Sequence, residues 1–569
     1  MIARILLLAG IFEILNCSVL FAEIRLPRII GDNMILQQQT DNAIWGWANP
    51  GEAITVSASW GATSNTTATD DGRWKVFLKT PDHGTGHFLR IEGDNTILIQ
   101  NVAIGEVWLC AGQSNMGWST ANSFEAEKEL DVSLPNLRIF KSQREHWHEP
   151  LEESRDRLQR WKSGTGESAS ETSAVSYYFG KTLQRSLKIP VGVIVQAYAG
   201  TPIEGWMSWE IQSQDPRSIA YKKALDQLSQ RRIERGETVE KSLEIFANEL
   251  SAYDEKINRG ETMKNPFRVL QPPFITKPAS LGHQYPSHIY NAMISPIQAF
   301  GIRGMIWYQG ERNSKNVPQA IHYQDQLKRL IDFYRASWHR SSNGNVSDDF
   351  PVQFTQLPSW HQPQSEPVEG ISSPWVVNRE SMRLVDRKVP NTGMVVTIDT
   401  GDSILLHPKN KKPIGIRHAL LALQKTYGRA VVGTGPIYKQ YSKQNGSILI
   451  EFESVGSGLA SLNSKPLNAF AIAGSDQIWH WADAEITGDA VVVSSPQVAK
   501  PIAVRYAWAM NPSQRNLLYN REGLPASPFR TDDWELHDPS EELVEVLKPQ
   551  KPQDYQPEDW ERPEMLLDY

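Results

Sequence analysis

The chain has 569 residues, with 58 Lys and Arg against 65 Asp and Glu, a formal net charge of −7 and 40% hydrophobic residues. A chain of this make-up folds as several globular domains at roughly 100–200 residues each. Its charges are interspersed, so it presents no basic face to a nucleic-acid backbone.

The first stretch, "MIARILLLAGIFEILNCSVLFAEIRLP", has a basic Arg4, an apolar run and a small residue at Ala22. That is a secretory signal pattern over residues 1–22, too short and poorly flanked for a membrane anchor, and it predicts a secreted or periplasmic protein. Glu13 and Leu20 depart from the pattern, and Asn16 before Cys17 is a poor lipoprotein site. No other long uncharged apolar run follows, so no membrane partner is expected after cleavage. Cys110 then stands alone and cannot form an intramolecular disulfide. Beside Val107, Trp108 and Leu109 it reads as a buried strand thiol rather than a nucleophile.

Residues 23–103 alternate in strand fashion, with Asn-Pro-Gly and Asp-Asp-Gly turns, and predict an N-terminal β-sandwich. From about residue 104 to 428 the pattern changes. Apolar runs such as "VWLCA", "VGVIVQAYAG", "RGMIWYQG" and "GMVVTIDTGD" alternate with helical stretches such as "ETSAVSYYFGKTLQRSLKI". Buried strands alternating with helices predict an α/β domain with a largely parallel sheet. A charged helical insert is expected at about 211–285; its mixed signs fit a solvated hairpin better than a nucleic-acid helix. Residues 429–537 return to β-rich patterning, and residues 538–569 form an acidic, Pro-containing tail. The 19 Trp and 17 Tyr suit either sugar C–H faces or β-sandwich cores.

Function in parallel sheets sits at the carboxyl ends of the strands. There the apolar runs stop at Ser114, at Gly200, at Gln309 with Glu311, and at Asp399 with Asp402. Serine is a weak nucleophile and needs a base. His407 follows the last α/β strand by a short loop, and Pro408 then introduces a helix. Acyl transfer also needs oxyanion donors. The N–H of Ser114, the N–H of Gly200 and the side-chain amide of Gln309 are candidates. Each feature alone also reads as a turn or a structural hydrogen bond; together they make the pattern of an acyl-transfer site.

"GEVWLCAGQSNM", "AGTPIEGW", "IWYQGE" and "DTGDSILLHPKNK" resemble the blocks of the sialate O-acetylesterase family, SGNH-type serine esterases that remove acetyl groups from sugars. "LPRIIGDNMILQQ", "PSHIYNAMISPI" and "VRYAWAMNP" extend the likeness over most of the chain. The resemblance implies an SGNH-hydrolase-like parallel sheet with helices on both faces, flanked by N- and C-terminal β-sandwiches. It implies Ser114 as nucleophile, His407 as base, and Ser114, Gly200 and Gln309 as the oxyanion hole. Gln113, Asn115 and Glu311 are expected as supports or substrate contacts.

Three departures stand out. Many relatives carry Asp-Ile-His, whereas Leu405 and Leu406 precede His407 here. The orienting acid therefore falls to Asp402 or Asp399, or a backbone carbonyl holds a Ser-His dyad. Ala199, Gly200 and Thr201 stand where relatives often show Gly-Gly-Thr. Arg312 replaces a small residue and either meets an acidic sugar or pairs with a neighbouring carboxylate. The expected substrate is an acetylated sugar or polysaccharide, with no metal or organic cofactor. A non-catalytic carbohydrate-binding protein and a glycosidase with paired carboxylates are the alternatives.

Overall fold

A computed structural model describes residues 23–537, apart from 131, most of 235–278, 370–372, 462–464 and 514. The signal pattern at 1–22, the tail at 538–569 and most of the helical insert lie outside the described residues. Of the insert, the helix Pro216–Glu234 is described. Among the described residues no helix is long and apolar enough to cross a membrane.

The architecture is α/β, with a central sheet, helices on both of its faces and further β-sheets in the C-terminal part. Six strands of the central sheet run parallel, in the spatial order Thr392–Val395, Val352–Thr355, Gly304–Tyr308, Thr96–Gly112, Val191–Ala197 and Leu137–Lys141. Trp161–Ser163 closes one edge as an antiparallel strand.

The strand Thr96–Gly112 is 17 residues long. Its first half pairs antiparallel with Gly84–Glu92, in the N-terminal β layer. Its second half is the centre of the parallel sheet. The division expected at 103–104 falls inside this strand, so the two regions share one hydrogen-bonded spine instead of meeting at a linker.

Burial explains why this stretch reads as a continuous apolar run. Val107, Leu109 and Ala111 face one core with Tyr323, Leu327 and Tyr334 of the helix Val317–Ser341. Trp108 and Cys110 face the opposite core with Val175 and Phe179 of Ala174–Leu187 and Leu421 of Lys412–Lys425. Helix starts follow local capping chemistry: Ser173 accepts from Ser176 N at 3.2 Å, and Asn316 accepts from Gln319 N at 2.9 Å.

The C-terminal part holds two four-stranded antiparallel sheets, one around Ser447–Glu453 and one around Phe470–Ala473. Phe470, Tyr506 and Phe529 pack between them with Phe452 and Tyr438. Arg379 fastens this part to the central domain. It is fully buried and donates to the carbonyls of Leu357, Pro358, Ala509 and Met510 at 2.7–2.9 Å.

Candidate functional site

Three adjacent strands deliver their ends to one place. Gly112 is level with Ala197 on one side and Tyr308 on the other. Tyr198 N donates to Gly112 O at 3.0 Å, and Gln113 N to Tyr308 O at 3.0 Å. A Cβ on Gly112 would stand 2.1 Å from Tyr308 O, and its φ is +149°. Only glycine lets the backbones approach this closely before the turn. The chain then enters the short helix Ser114–Gly117. Ser114 is its first residue, half-buried, with an N–H that the helix itself does not use.

His407 reaches the same edge from the loop after Thr392–Val395. Ahead of it, Asp402 Oδ1 accepts from the N–H groups of Ile404 and Leu405, both at 2.8 Å, and closes a turn. The imidazole stacks on Trp118, with ring centres 5.5 Å apart and planes 21° apart. Its Nε2 is buried and has no hydrogen-bond partner among the described residues. Burial, helped by the charge of Lys411, holds the ring down at a pKa of about 4, so it is neutral over most of the pH range. Asp399 serves elsewhere: it forms a bidentate ion pair with Arg417 at 2.6–2.8 Å.

One side chain ties the Ser114 turn to the His407 loop. Asn115, fully buried, donates from Nδ2 to Glu311 Oε1 at 2.6 Å and to Leu406 O at 3.3 Å. Its Oδ1 accepts from Lys411 Nζ at 2.6 Å. Lys411 is fully buried 5.7 Å from the Tyr308 ring centre. Burial lowers its pKa to about 7, opposed by Glu311, and burial raises the carboxyl of Glu311. Sequence reasoning missed Lys411. It is one of three lysines close after His407, with Lys409 and Lys412, and nothing in their order marks the buried one.

Gly200 lies exposed at φ +73°, its N–H without a hydrogen bond among the described residues. Gln309 is fully buried. Its amide donates to Thr201 O at 3.2 Å and to Asn313 Oδ1 at 2.8 Å, and its Oε1 accepts from Tyr323 OH at 2.9 Å. Asn313 in turn donates to Glu204 Oε2 at 2.9 Å. Both protons of this amide have acceptors in this arrangement. Arg312 finds an amide rather than a carboxylate, donating to Gln284 Oε1 at 3.0 Å.

A serine at a parallel strand's carboxyl end, a neutral histidine on a loop linked to the same turn and unused backbone N–H groups fit a hydrolase of the serine-nucleophile class. Residues 104–240 and 278–420 match the family described as carbohydrate esterase, sialic acid-specific acetylesterase. The sialate O-acetylesterases of Mus musculus and Homo sapiens are each 26% identical to the chain. The alignments cover 89% of the chain, with 94% of the mouse and 92% of the human protein. The crystal structure of a carbohydrate acetylesterase from Xanthomonas citri is 31% identical. It superposes with a TM-score of 0.73, covering 90% of this chain and all of that one. The chain belongs to this acetylesterase family and is a carbohydrate O-acetylesterase.

Proposed function

We propose that Ser114 attacks the carbonyl carbon of a sugar-bound acetyl group while His407 Nε2 takes the serine proton. His407 then hands that proton to the departing sugar oxygen. Water, activated by the same imidazole, cleaves the acetyl-serine and releases acetate. The oxyanion of each tetrahedral intermediate takes hydrogen bonds from the N–H groups of Ser114 and Gly200. Gln309 acts behind them, holding Thr201 and Asn313 and so the Gly200 loop.

The observation that carries this reading is Asn115, the residue after the nucleophile, which donates to the carbonyl just before the base. Asp402, which closes the turn ahead of His407, and the stacked Trp118 orient the ring. The protein is read as an SGNH-type hydrolase flanked by two β-sandwiches, and the pattern at 1–22 supports export. Neither the family nor the site supports the binding-protein or glycosidase alternative.

The test is acetate release from a panel of O-acetylated glycans by wild type, Ser114→Ala and His407→Ala. Both variants should lose at least a thousandfold in kcat. Full activity in either one removes that residue from its role.

A further inference from the structure

A cavity of about 520 Å³ borders the Asn115 network, within the size range of small-ligand sites. Glu311 and Leu406 form part of its wall, and both are held by Asn115. The cavity is thus one residue removed from Ser114 and from His407. Its apolar lining includes Trp360 and Trp375, ring centres 5.4 Å apart, and Met510 from the C-terminal part.

Two polar atoms at this cavity are unspent. Glu311 is 5% exposed; its Oε1 serves Asn115, while Oε2 is buried with no partner among the described residues. Ser373 Oγ is likewise without a partner. A buried carboxyl oxygen without a donor is costly unless a ligand supplies one. Sugar hydroxyls are such donors, and the axial C–H face of a pyranose fits a flat indole. The charges decide which sugar. Glu311 and Glu369 line the cavity together with Lys315 and His361, so an anionic sugar carboxylate would enter beside a buried acid.

We propose that this cavity is a subsite for a neutral pyranose of the acetylated glycan, stacked on Trp360 and hydrogen-bonded to Glu311 Oε2 and Ser373 Oγ. The subsite rests on the acetylesterase reading and sets its substrate class: acetylated neutral glycans over acetylated sialic acid.

The experiment measures kcat/KM on three acetyl esters: an O-acetylated neutral oligosaccharide, an O-acetylated sialic acid and 4-nitrophenyl acetate. Wild type should favour the neutral glycan over the sialate at least tenfold. Trp360→Ala, which empties the stacking face, and Gln362→Trp, which fills the cavity from its exposed rim, should each lower the glycan-to-aryl ratio of kcat/KM at least tenfold. The loss should lie mainly in KM. Taking the ratio cancels any disturbance of the His407 loop, to which Trp360 Nε1 is bonded through Ile404 O at 3.4 Å. An unchanged ratio in both variants, or a wild type that prefers the sialate, overturns the proposal. Failure of the esterase reading shows separately, as no hydrolysis of 4-nitrophenyl acetate above Ser114→Ala. In that event calorimetric binding of the deacetylated oligosaccharide, kept in Ser114→Ala and lost in Gln362→Trp, still decides the subsite.

Discussion

Lys411→Met tests the electrostatics of the site most directly. The substitution keeps an unbranched stem beside Tyr308 and removes the buried ammonium. It deletes the 2.6 Å bond to Asn115 Oδ1, a charged hydrogen bond of about 1.5–3 kcal/mol. Glu311 loses the cation that offsets its burial, so its carboxyl holds its proton to higher pH. His407 loses a neighbouring like charge, so its pKa rises from about 4 towards, but not to, the ordinary 6.5, because burial remains. The sign follows from the role of the ring: the base works when neutral, so activity is lost as pH falls through its pKa. With a pKa of about 4, about nine-tenths of wild-type His407 is neutral at pH 5. The variant should have a smaller neutral fraction there. The assay is kcat/KM against pH on 4-nitrophenyl acetate, with urea unfolding for the stability loss. The acid limb should move to higher pH. A limb that stays in place or moves lower refutes the claim that Lys411 acts on His407.

Asp402→Asn keeps an acceptor oxygen for the turn and should cost less than about tenfold in kcat, whereas loss of a true triad acid costs about 10⁴; a loss of that size would restore Asp402 to the triad. Gly112→Ala drives a Cβ to within 2.1 Å of Tyr308 O and should destabilise the fold by about 3 kcal/mol, so an unchanged urea midpoint would contradict the close strand approach. Arg379→Met leaves four carbonyls without their donor and should cost about 3–5 kcal/mol, read as a lower thermal midpoint. Burial pushes His418 down to about 3, so the unfolded chain takes up that proton first and stability falls as pH drops from 6.5 towards 3. His418→Gln should flatten that slope in urea midpoints measured against pH.

The sequence by itself determined the α/β domain, the strand ends and the position of the serine. Runs such as "EVWLCA" are apolar on both faces because helices cover both. Their abrupt change to Gly112, Gln113 and Ser114 marks where the strand leaves that cover. His407 was legible for a similar reason, since Pro408 after a buried strand forces a loop at the same edge. What only tertiary structure decided is which polar groups face each other. Asp399 and Asp402 read alike along the chain, yet one closes on Arg417 and the other on its own backbone. Gln309 looked like a donor, and its two protons go to Thr201 O, over a hundred residues away, and to nearby Asn313. Lys411 differs from Lys409 and Lys412 only in being fully buried. The physical reason is common to all of these. Local sequence sets periodicity and turns, whereas a proton affinity depends on burial and on charges that the fold brings together from distant segments.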